Sequence, residues 1–216
     1  MHRENLNGKK NNSAMVFTED QIINYLNEIV AIFRSKYNDE NRISLDYIVL
    51  ADTSYDNENV AHFGGFIAKT EKLLLCCIEV DLKRMSSFSD KLVKFILAHE
   101  LCHSLDNQLD GDAELSVQSL VTVSKTLWTN NVVLIKGPDN AGVKDLLCKL
   151  RQEQFGLVPN EHKCIDLWAK TLLNLSDDDT KQCIEELYNY SNKKEDITTR
   201  LDAAKEQNYK GCLEMI

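Results

Sequence analysis

No stretch of this chain approaches the roughly 18 consecutive apolar residues that a membrane-crossing helix needs. The start, Met1 to Ser13, is polar and rich in Asn and Lys, and it lacks the apolar core of a cleaved export signal. No C-x-x-C pair occurs. The seven cysteines (Cys76, Cys77, Cys102, Cys148, Cys164, Cys183 and Cys212) are odd in number and irregular in spacing, which points to reduced thiols rather than a disulfide framework. The expected place of work is therefore a cytosol, or the inside of a host cell reached by a route that needs no cleaved signal. A basic excess is missing too. Lys and Arg number 25 against 34 Asp and Glu, for a net charge of -9. That argues against nucleic acid as the main partner, since phosphate binding needs a basic patch, and the acidity is explained by solubility alone. Neither nucleic acid nor a membrane is an expected partner.

What is present is the composition of an ordinary folded protein, 43% apolar and 27% charged over 216 residues, enough for one good core. The reading is a disordered tail over 1–16 followed by a single domain over 17–216, with a motif-bearing half at 17–110 and a helical half at 111–216. Thr18-Glu19-Asp20-Gln21 is a helix start with Thr18 as cap and Gln21 at the capping-box position. Ile22, Ile23, Leu26, Val30 and Phe33 mark one apolar face of a helix to about Lys36. Strands are expected at 43–51, 61–69 and 73–80, the last two forming a hairpin. In the second half, helices are expected from Asp112 to about Leu127, over 141–155 and 161–174, from Ser176 onward, and over 194–208, with a short strand at 132–135.

Proline and glycine are absent from 87 to 110. That uninterrupted stretch holds His99-Glu100-Leu101-Cys102-His103. Leu92, Phe95, Ile96 and His99 have helical spacing, and Ser87 or Ser89 can cap the start. On a helix, His99 and His103 sit one turn apart on one face, where two imidazoles can share one Zn²⁺ at about 2.0–2.1 Å. Glu100 beside them is suited to take a proton from a metal-bound water. H-E-x-x-H alone is a loose pattern, and the rival is a surface helix with accidental histidines. The half-buried helical context favours the metal. Cys102, inside the motif, reads as a small buried apolar residue.

The pattern His99-Glu100-x-x-His103-x-x-Asp106 resembles the zinc metallopeptidases called zincins. It is most similar to the gluzincin type that includes the anthrax lethal factor protease domain and the Mlc titration factor family. Metzincins would have Gly at 106 and His at 109, where this chain has Asp106 and Leu109. The resemblance covers about residues 43–174 and is specific only at the motif. It implies an α+β zincin-like domain with a small mixed sheet, the motif helix and a mostly helical C-terminal half. It also implies a zinc endopeptidase acting on a protein or peptide, with a monomer expected. Asp106 and Asp166 would accept hydrogen bonds from ligand imidazoles.

In that family the third ligand is a Glu on a later helix, followed four residues on by an acid and six on by an aromatic. Asp166 and Trp168 fill the last two places, and His162 stands where the family has Glu. His₃ zinc sites are well known. Glu161, Asp166 and Asp110 remain rival third ligands. The family's upstream Tyr hydroxyl is replaced by Phe155, with His62 and Tyr188 as weak substitutes. This leaves open a regulatory or protein-binding module on the same fold with little turnover. A helical interaction protein without metal is the other rival.

Overall fold

The computed structural model describes residues 17–37, 44–52, 61–68, 73–106, 132–136, 162–191, 194–210 and 212; for the strands, apart from Leu50, Asp52 and 78–80, only the backbone is described. Three of the sequence expectations lie outside these residues: the tail and the helices near 112–127 and 141–155.

Helix α1, Glu19–Tyr37, begins with the capping box. The Gln21 amide donates to Thr18 Oγ1 at 3.3 Å, and the Thr18 amide donates back to Gln21 Oε1 at 2.8 Å. Its buried face is Ile22, Leu26, Ile29, Val30 and Phe33. Strands β1 (Ser44–Asp52), β2 (Ala61–Ala68), β3 (Leu73–Val80) and β4 (Val132–Lys136) form one mixed sheet in the order β2-β3-β1-β4. β2 and β3 are an antiparallel hairpin, with Ala68 opposite Leu73 and Ala61 opposite Val80. β1 lies parallel to both β3 and β4. β2 is thus an edge among the described strands.

A short helix follows that the sequence did not announce. α2, Leu82–Met85, is capped by Asp81, whose Oδ1 accepts from the Arg84 amide at 2.8 Å. Four residues are too few to display a helical period. Of the two candidate caps for the next helix, Ser89 is the one used: its Oγ accepts from the Leu92 amide at 3.2 Å. That helix, α3, spans Asp90–Asp106. Leu92, Val93, Phe95, Ile96, Leu97, Ala98, Leu101 and Cys102 are all buried. A helix apolar on so much of its circumference belongs in the middle of a protein. α3 packs against α1, β2, β3 and two C-terminal helices.

From His162 onward the described residues form three helices joined by short turns: α4 (His162–Leu173), α5 (Asp177–Tyr190) and α6 (Lys194–Glu206). α4 ends on Asn174 at φ 53°, and the Leu175 amide donates back to the Lys170 carbonyl at 3.0 Å. Asn is the non-glycine residue best suited to that left-handed turn. Ser176 caps α5, accepting from the Asp179 amide at 3.1 Å. Asp177, Asp178 and Asp179 then sit where the helix dipole favours negative charge. Glu186 of α5 accepts from both the amide and the hydroxyl of Ser89, at 2.7 and 2.6 Å, which docks the start of α3 on α5.

The expectation of reduced thiols is overturned at one pair. Cys164 and Cys212 are joined in a disulfide with their Cα atoms 5.2 Å apart. They stand 48 residues apart, and only the return of the chain past α6 to the flank of α4 brings them together. Cys102 and Cys183 are buried thiols. Burial pushes the Cys183 thiol up to about 12 and raises that of Cys102 as well, so neither is poised to react. No described helix is long and apolar enough to cross a membrane.

Candidate metal centre

The helical spacing of α3 puts His99 and His103 on adjacent turns, with ring centroids 5.0 Å apart and planes at 83°. His162 opens α4 and comes from the other side. Its ring is stacked with that of His99 at 5.4 Å and 5°, and lies edge-on to His103 at 5.5 Å and 82°. One nitrogen from each of the three lies within 4.8 Å of the others. Burial is graded across the group. His99 is only 3% exposed, His103 is half-buried and His162 is exposed.

His99 has both nitrogens committed. Nδ1 donates to Asp166 Oδ1 at 2.8 Å. Nε2 faces His162 Nδ1 at 3.2 Å. Asp166 is fully buried and also meets Arg200 of α6. Arg200 Nη2 donates to Oδ1 and Nε to Oδ2, each at 2.7 Å. Burial alone would raise the Asp166 carboxyl, but the charge of Arg200 and the His99 ring outweigh it and hold the group ionised, below the usual carboxylate range. Burial, with Arg200 adding to it, pushes His99 down to about 4 despite the attraction of Asp166. His99 is therefore neutral near pH 7, and the proton it carries is on Nδ1.

These residues fit a metal ion. Three imidazoles, the innermost neutral and with the lone pair of its Nε2 aimed at His162, are the donors that borderline divalent metals prefer. A tetrahedral shell at about 2.0–2.1 Å sets neighbouring nitrogens about 3.3 Å apart, and the 3.2 Å between His99 Nε2 and His162 Nδ1 already matches it. His103 closes the set from the next turn of α3.

The other residues named from the sequence divide as follows. Glu100, the next residue after His99 on α3, is buried at 9% exposure. Asp166 turns its carboxylate to His99 and Arg200, so it does not serve as the third donor. Asp106 ends α3, but its side chain lies outside the described residues, as do Glu161, Asp110 and Phe155 altogether. His62 pairs with Glu79 in the hairpin register, and its side chain is likewise outside. Tyr188 packs against the core with Lys194 Nζ 4.8 Å above its ring. Arg200 was missed. It lies 34 residues beyond Asp166, and no local spacing links the two. No protein-family model matches the chain, and neither the characterised proteins nor the solved structures compared with it include a match.

Proposed function

We propose that the chain is a zinc-dependent endopeptidase with a zincin-like domain, in which His99, His103 and His162 hold the metal and Glu100 is the general base. The observation that carries this reading is the meeting of three imidazoles from two helices, with a buried Glu100 following the innermost one in sequence. When bound, zinc supplies a Lewis acid that polarises a peptide carbonyl and lowers the pKa of a water to about 7. Glu100 takes a proton from the attacking water on a carboxylate oxygen and passes it to the leaving amine. Asp166 holds the His99 ring by its Nδ1–H. The apolar residues of α3 close the inner side of the group to water.

A protein or peptide substrate suits the sheet. β2 is an edge among the described strands and packs against α3, the helix of the motif. An extended peptide can add to such an edge by backbone pairing. A monomer remains our reading of its assembly, while the Cys164–Cys212 bridge withdraws the thiol argument for a reducing compartment.

The test joins metal content to cleavage. The purified protein should carry about one zinc per chain, as a mononuclear site does. It should generate new protein N-termini in a cell lysate, and a chelator should suppress them. Zinc-free protein with unchanged cleavage sinks the reading. A second reading, a metal-binding regulatory module with little turnover, is favoured by the lack of the family's upstream Tyr, where this chain has Phe155. Full zinc occupancy without new N-termini would select it.

A further inference from the structure

The carboxylate of Asp166 is shared between two helices besides its own. Oδ1 accepts from His99 on α3 and from Arg200 Nη2 on α6, and Oδ2 accepts from Arg200 Nε. The Asp166 side chain is 1% exposed and that of Arg200 is 11% exposed. A carboxylate in such a place needs a partner. The partner it has is a planar fork that binds both oxygens at once, which fixes the carboxylate in plane as well as in position. A single ammonium would supply charge but leave the plane free to turn. With the plane fixed, Oδ1 has one direction left in which to accept, and His99 Nδ1 occupies it.

The approach of Arg200 is itself braced. α6 packs on α5 and α4, its end is turned back by the Asn208 amide donating to the Ala203 carbonyl at 2.9 Å, and the chain beyond is joined to α4 through Cys164–Cys212. Cys164 lies two residues from His162 and two from Asp166 along α4. The segment that supplies Arg200 is thereby held to the helix that supplies two members of the centre.

We propose that Arg200 is the positioning residue of this centre: acting through Asp166, it holds His99 as the Nδ1–H tautomer with Nε2 directed at His162. The consequence for metal rests on the His₃ reading above; the consequence for the His99 ring does not. A buried ion pair whose only role is to stabilise the fold would change the unfolding midpoint when altered, and leave the affinity of the folded protein for metal as it was.

The experiment uses the full chain with Arg200→Gln and Arg200→Lys. Zinc affinity is read by competition with a chromophoric chelator, the His99 tautomer by ¹⁵N resonance of its ring in zinc-free protein, and folding by thermal melting. Loss of an outer hydrogen-bond partner typically weakens metal binding about 10–100-fold. Arg200→Gln should weaken zinc by that factor and shift the His99 nitrogens toward a tautomer mixture. Arg200→Lys keeps the charge without the fork and should recover only part of the loss. Wild-type affinity and a wild-type ring signal in both variants overturn the proposal. If Arg200→Gln does not fold, Arg200→Lys decides it by the same two readouts. If the wild-type protein itself binds no zinc, the metal reading falls, and the ring signal alone decides for or against Arg200.

Discussion

At the scale of single residues, the two nitrogens of His99 set different expectations. Its ring titrates near 6.5 in an unfolded chain but at about 4 in the fold, because burial disfavours the cation. As pH falls from 6.5 the unfolded chain takes up the proton first. Stability is thus fully present above 6.5 and is lost as pH drops to about 4. In zinc-free protein the loss should be on the order of 3 kcal/mol, and urea midpoints at pH 7 and pH 4.5 would measure it. The paired loss from Asp166 lies lower, below the ordinary carboxylate value near 3.9. A His99→Asn variant should flatten the upper part of the profile; a wild-type profile already flat from 7 to 4.5 would count against the burial argument. Glu100→Gln should keep zinc while losing roughly 10²–10⁴-fold in cleavage rate. His99, Glu100 and His103 could be picked out in the sequence because four-residue spacing on a helix is local information. His162 could be picked out only against a family pattern that it breaks. Arg200 could not, because its partner is set by how two helices pack.

Elements carry the next set of expectations. α3 is buried on nearly all sides, and Leu97 is fully buried. Leu97→Ala should cost about 2–5 kcal/mol, which chemical denaturation of the folded chain would show. A smaller cost would mean that the core around α3 collapses onto the gap. The Cys164–Cys212 bridge closes a segment of 48 residues. In the chain-entropy account such a link is worth about 4 kcal/mol, so Cys212→Ser should lower stability by up to that amount, with the same change on treating wild type with a dithiol. The capping box of α1, the hairpin and the run of α3 were legible because caps and periodicity act within a few residues. α2 was not, being a single turn. The bridge was not either, since cysteine spacing says nothing about which segments the fold returns to each other.

For the molecule as a whole, a ligand that binds only the folded state adds stability by mass action. At a hundredfold excess over Kd that is about 2.7 kcal/mol, or about 5–10 °C in Tm for a chain of this size. Chelation should remove it and added zinc restore it; a Tm indifferent to both would count against the centre. The individual strands and helices followed from patterning and the small mixed sheet from the resemblance, whereas the strand order β2-β3-β1-β4 was not legible because parallel pairing joins segments far apart in the chain. One feature of that architecture governs traffic. Exposure falls from His162 through His103 to His99, so among the described residues the group is most open at its His162 end. An arriving ion meets His162 first and His99 last, and a departing one retraces the route in reverse. His162 is then first to catch and last to release. For a metal held as proposed, the rate of exchange would belong to the opening turn of α4 and the firmness of hold to the buried end.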